Sequence, residues 1–149
     1  MINQEPWVAV NRLAFQEQLM ALPEDDRLPV LKAQLNQLVD SPEIDHLEWC
    51  KLAETVGCFG LAFREAQLAV RDQPDRPEAL RALAIMLLER GESERAAHHL
   101  EKALAAEPEH RETWLQLAEL YTEKGLNASL EALETEAREH GIALPPRSG

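Results

Sequence analysis

Gly57, Gly91 and Gly125 are separated by 34 and 34 residues, and Pro74 and Pro108 repeat that spacing. A fixed period of this size is the mark of stacked supersecondary units, each of which buries its apolar face only against its neighbours. The spacing divides the chain into units 43–76, 77–110 and 111–144, with a tail at 145–149. Each glycine is expected in a turn between two helices, where a left-handed backbone ends the first one. Ser41-Pro42 and Arg76-Pro77 are read as helix openings, because a proline in the first turn loses no hydrogen bond.

Inside the units the residues carry a family resemblance. The first helix of a tetratricopeptide unit reads W-x2-L-G-x2-Y. Here the third unit has Trp114, Leu117, Ala118 and Tyr121, the second Leu80, Leu83, Ala84 and Leu87, and the first His46, Trp49, Cys50 and Ala53. For the second helix, unit two supplies Ala96, Leu100 and Pro108, and unit one Ala62, Ala66 and Pro74. Unit three departs from the pattern with Leu130, Glu134 and Ile142, which reads as a terminal cap. The chain resembles the tetratricopeptide-repeat family, and the resemblance implies an all-α solenoid of three helical hairpins.

Small residues have a physical role in that pattern. Ala84 with Ala96, and Cys50 with Ala62, would let the two backbones of a hairpin approach closely. Residues 1–42 lack the signature, yet Phe15, Leu19 and Leu22 precede Pro23, and Leu28, Leu31, Leu35 and Leu38 follow it at helical spacing. Residues 7–40 are therefore expected to form a degenerate helical hairpin, acting as a cap or a subunit contact, with Pro29 near the start of its second helix. Ile142 and Leu144 are candidates to fold back on the last helix.

The family binds ligands mostly on the concave side, formed by the first helices. Carried over, the resemblance implies contacts from Lys51, Glu54 and Thr55, from Glu78, Arg81, Ile85, Leu88 and Glu89, and from Glu112, Leu115, Glu119, Thr122 and Glu123. Ile85, Leu88 and Leu115 would form an apolar middle inside an acidic border, a surface suited to a basic or amphipathic segment of a protein or peptide. One subgroup of the family grips a C-terminal carboxylate with lysines, asparagines and an arginine. With Leu47, Arg81 and Leu115 at the fifth position of the units, only Lys51 fits, so that clamp is not expected.

The net charge of −12 is shared equally by residues 1–76 and 77–149, so no basic stripe awaits a polyanion. This argues against nucleic acid or an anionic membrane as partner. The longest apolar run, Leu83 to Leu88, is six residues, far below the roughly 20 that cross a bilayer. The N-terminal residues have neither the basic start nor the apolar stretch of a secretory signal, and a cytoplasmic location is expected.

Catalytic and metal chemistry finds little support. His46 and Cys50 are spaced i, i+4, but no second pair at ligand spacing accompanies them, and His98 and His99 are adjacent on one helix. There is no nucleophile–base motif and no glycine-rich phosphate loop, so neither an enzyme nor a cofactor is expected. The leading expectation is an adaptor or chaperone-like module, with a layout similar to small three-repeat chaperones of secretion systems. A self-assembling homo-oligomeric scaffold is the alternative. An accessory subunit of a metal- or redox-enzyme, touching it through Cys58, is the third.

Overall fold

The computed structural model describes residues 12–37 and 45–145. Among them are eight α-helices and no strand: α1 (Arg12–Met20), α2 (Glu24–Gln37), α3 (His46–Thr55), α4 (Phe59–Asp72), α5 (Pro77–Glu89), α6 (Ser93–Ala106), α7 (Arg111–Glu123) and α8 (Asn127–Glu139). They fall into two compact units, Met1–Arg71 and Asp72–Gly149.

The glycine period has a backbone cause. Gly57, Gly91 and Gly125 have φ of 86°, 79° and 67°, in the left-handed region that costs other residues energy. Each sits just past a first helix and closes it the same way. In α5 the Gly91 N–H donates to the Leu88 carbonyl at 3.0 Å and the Glu92 N–H to the Leu87 carbonyl at 2.9 Å. That pair of bonds satisfies carbonyls which the helix end would leave orphaned.

In the first unit, α1 and α2 flank Pro23 as the apolar spacing predicts, with Phe15, Leu19 and Leu31 buried. Leu22 and Leu35 are half-buried, Leu28 is exposed, and Leu38 lies outside the described residues. Pro29, expected near the start of this helix, is the sixth residue of α2, so its ring replaces an N–H that would have reached back along the helix. Arg27 ties the elements together: its Nε donates to the Leu22 carbonyl and one terminal nitrogen to the Val56 carbonyl, both at 3.1 Å. Phe15 meets Trp49 edge to face, with ring centroids 6.3 Å apart. The helix α3 opens at His46, not at Pro42. Asp45 caps it by accepting the Leu47 N–H at 3.0 Å, and Pro42 lies outside the described residues.

In the second unit, α5 packs along α6, α6 against α7, and α7 against α8. Ala84 and Ala96 are completely buried, as the close approach of α5 and α6 requires. Ala118 is only half-buried, and bulky Leu130 is buried instead. Trp114 is buried with its indole N–H donated to the Pro108 carbonyl at 2.7 Å, so a signature residue holds the loop that precedes its own helix.

Candidate functional site

The residues expected to contact a partner keep one stripe on each first helix. Arg81, Ile85 and Leu88 are four and three residues apart on α5, and Leu115, Glu119 and Thr122 repeat those steps on α7. Such spacing keeps side chains on one face. Lys51 and Glu54 stand one period before Ile85 and Leu88, on α3 of the first unit.

Their surroundings differ from one another. Ile85 is 43% exposed, an unusual position for a large aliphatic side chain, while Leu88 and Leu115 are half-buried. Arg81 is not a free cation: a guanidinium nitrogen lies 3.2 Å from Glu107 Oε2 at the end of α6. Glu78, Glu89, Glu112, Glu119 and Glu123 are exposed. Thr122 is exposed with its hydroxyl donated to the Ala118 carbonyl at 2.7 Å, and Thr55 donates to the Lys51 carbonyl at 2.9 Å. With the hydroxyl engaged by its own helix, each threonine offers chiefly its methyl group. Lys51 is exposed, 3.9 Å from Glu48, and Glu54 faces Cys50 Sγ at 3.8 Å.

The reactive side chains sit in environments that quiet them. Cys50 and Cys58 are free thiols. Burial first, then the neighbouring Glu54 carboxylate, pushes the Cys50 thiol up to about 12. Burial also raises Cys58, so neither is poised as the thiolate that redox or metal chemistry uses. His46, whose spacing suggested a partnership with Cys50, places Nδ1 at 2.7 Å from Oε2 of the fully buried Glu65 on α4. A carboxylate taken out of water needs such a partner. Burial, followed by the charges of His98, Arg95 and Lys102, lowers His99. Among the described residues no group of three or more His, Cys, Asp and Glu side chains is arranged to hold a metal ion. None of the helices described is long and apolar enough to cross a membrane.

The sequence model of the tetratricopeptide repeat matches residues 77–120. That span holds α5, α6 and most of α7, the hairpin and following helix in which the small alanines and the glycine turn sit as the pattern demands. Within residues 77–120 the chain thus carries a segment that matches the tetratricopeptide repeat. Two solved structures of MamA are similar to this chain. One has a TM-score of 0.66 at 17% identity, over 91% of this chain and 79% of that one. The other has a TM-score of 0.61 at 17% identity, over 92% and 79%. At such identity the likeness shows the fold alone. No curated protein matches the chain by sequence.

None of the expected contact residues lines the clefts around α6, α7 and α8. Sequence reasoning passed over that side of the second unit, and in particular the hydrogen bond from the Tyr121 hydroxyl to Glu101 at 2.5 Å. A signal was present in the small residues that recur along the second helices, Ala97 and Ala105 on α6 and Ser129 and Ala132 on α8.

Proposed function

We propose that this chain is an adaptor or chaperone-like module of the cytoplasm that holds a basic or amphipathic segment of one partner protein against its first helices. The contact residues in the second unit are Arg81, Ile85, Leu88, Glu89, Leu115, Glu119, Thr122 and Glu123, with Lys51 and Glu54 at the matching positions of α3. The observation that carries the reading is Ile85, 43% exposed beside half-buried Leu88, with exposed Glu89 one turn further along α5. An apolar centre inside a charged rim is the arrangement in which central side chains supply most of the binding energy. Arg81 belongs to the fold as much as to the surface, since its pairing with Glu107 joins α5 to the end of α6.

The test is affinity capture followed by calorimetry with the captured protein, run on the wild type and on Leu88→Glu. A carboxylate at that position repels the partner and must be desolvated, so the variant loses about 2 kcal/mol or more of affinity with an unchanged circular dichroism spectrum. Full affinity with a native spectrum overturns the reading. Unfolding of the variant would place Leu88 in the hairpin core and also remove it from the site.

A self-assembling scaffold has a separate observation in its favour. Leu13 and Met20, seven residues apart on one side of α1, are exposed large apolar side chains at 67% and 47%. Light scattering on the purified chain separates the readings, because a scaffold is multimeric without any partner.

A further inference from the structure

Arg81 is the one base among the positions of α5 and α7 that are expected to meet a partner. The other charged positions are Glu78, Glu89, Glu112, Glu119 and Glu123, all exposed. Arg81 stands one turn before Ile85 on the same face of α5, next to the most exposed apolar side chain of the stripe. A guanidinium in that place would suit a carboxylate carried by a partner. Its charge is already engaged, however. A terminal nitrogen donates to Glu107 Oε2 at 3.2 Å, with the two side chains 16% and 34% exposed. Among the described residues neither side chain forms another ion pair or hydrogen bond.

Glu107 is held in place by its backbone. It caps the C-terminal end of α6, where its N–H donates to the Ala103 carbonyl at 2.9 Å and its own carbonyl accepts the His110 N–H at 3.1 Å. That end of a helix carries negative partial charge, so a carboxylate there is disfavoured by the helix that bears it. What offsets the repulsion is Arg81, 26 residues earlier on α5. Because the pair is only partly open to water, removing one partner leaves the charge of the other poorly compensated.

Resting on the reading of this stripe as the partner surface, we infer that Glu107 determines its charge specificity: by neutralising Arg81 it excludes acidic partner segments and leaves the exposed glutamates to select basic ones. Specificity is a difference of affinities, and part of it comes from what a surface refuses. A partner carboxylate brought to Ile85 meets a neutralised base and, along both helices, like charge. A partner lysine meets carboxylates with no competing cation. Glu107 acts through Arg81 and does not itself have to touch the partner.

The probes are two synthetic peptides of about 14 residues, roughly four helical turns, with the same leucine stripe. One carries lysines and the other glutamates, and each is titrated calorimetrically into the full chain. The wild type should bind the lysine peptide and exclude the glutamate peptide. Glu107→Gln keeps the shape of the side chain and an oxygen that accepts from Arg81, so only the charge is lost. It should weaken the lysine peptide by about threefold and tighten the glutamate peptide by about tenfold or more. Glu89→Gln removes the same formal charge without uncovering a base, and should weaken the lysine peptide while the glutamate peptide stays excluded. Arg81→Gln with Glu107→Gln removes both charges and should restore the wild-type preference. Glutamate-peptide binding gained equally in Glu89→Gln, or kept in the double variant, would overturn the inference, since the effect would not pass through Arg81. A folded Glu107→Gln that discriminates like the wild type would also overturn it, and the pair would then only join α5 to α6. If Glu107→Gln fails to fold, Arg81→Gln decides: with Glu107 left unpaired, the preference for lysine should widen by about threefold or more, and an unchanged preference sinks the inference. Leu88→Glu tests the underlying reading separately. If it binds the lysine peptide as the wild type does, or if the wild type binds neither peptide, the stripe is not the partner surface and both fall. If Leu88→Glu loses the lysine peptide while Glu107→Gln keeps wild-type discrimination, the role of Glu107 alone fails.

Discussion

Enlarging Ala84 to leucine asks whether α5 and α6 approach as closely as the repeat requires. Ala84 has no exposed surface, and neither has Ala96 on the facing helix. Three added carbons would stabilise by about 0.8 kcal/mol each if a void awaited them. Where the core is already filled to native density they force side chains off their rotamers and shift the backbone, at a net cost of about 1–3 kcal/mol. The sign of the change therefore reports on the space between the helices. Complete burial of alanines on both helices predicts that overpacking wins. For a chain of this length, about 3 °C per kcal/mol converts the cost to a fall in melting temperature of about 3–9 °C. Ala96→Leu should behave alike. Ala105→Leu, at an exposed position of α6, should change it by less than about 2 °C. Thermal denaturation followed by far-UV circular dichroism measures all three. An Ala84→Leu variant that melts with the parent or above it would refute both the assignment of Ala84 to the packing position and the close approach of the helices.

Thiol titration of the native chain should modify half-buried Cys58 while Cys50 reacts only on unfolding. Because folding lifts Cys50 from its ordinary 9.0 to about 12, the folded chain holds a proton that the unfolded chain releases. Stability then falls as pH rises from 9 toward 12, and Cys50→Ala should make that slope shallower, the remainder coming from Cys58 and Tyr121, which folding also raises; a slope unchanged in the variant would refute the assignment. Association through the acidic border should weaken as salt rises from about 0.05 to 0.5 M, since attraction across an exposed rim is screened. A dissociation constant indifferent to salt, measured with the captured partner, would leave those glutamates as solubilising surface.

The repeat was legible because it rests on backbone requirements that few residues satisfy. A left-handed residue after each first helix calls for glycine, so Gly57, Gly91 and Gly125 announced the hairpins. A fully buried position between close helices calls for a small side chain, so Ala84, Ala96, Cys50 and Ala62 announced their pairing. Features that depend on which side chains meet were less visible. His46 looked like half of a ligand pair with Cys50, but its partner Glu65 is 19 residues away and on another helix. Pro29 looked tolerable only near a helix start, yet α2 extends around it, with Arg27 anchoring the preceding turn. Leu28 shared the spacing of Leu31 and Leu35 but is exposed. The cleft between α6 and α8 went unread because alanine and serine on a helix face signal nothing until the facing helix proves equally small.

The end of α8 shows the same grammar used in another place. After α4 and α6 the chain passes Pro74 and Pro108 and enters the next helix three residues later, at Pro77 and Arg111. After α8 the proline position is Ile142, and Gly141 before it has φ 72°. The Gly141 N–H donates to the Arg138 carbonyl at 3.1 Å and the Ile142 N–H to the Ala137 carbonyl at 2.8 Å, the closure otherwise found on first helices. The chain is thereby turned so that Ile142 and Leu144, both half-buried, lie against the face of α8 that bears Glu131, Glu134, Thr135 and Arg138. Stacking another apolar hairpin there would desolvate three charged side chains, which costs more than covering the face with two aliphatic residues. Gly141→Ala tests this arrangement. A Cβ at that position meets nothing within 4 Å, so the cost is backbone strain alone, about 1–2 kcal/mol. It should fall on the tail rather than on the hairpins. Hydrogen exchange is the measurement: the Ile142 amide should exchange about tenfold faster or more, while amides of α5 and α6 keep their protection. The same substitution at Gly91, inside the packed hairpin, should instead lower protection throughout α5 and α6. Unchanged exchange at Ile142 in Gly141→Ala would refute the claim that the left-handed glycine holds the tail in place.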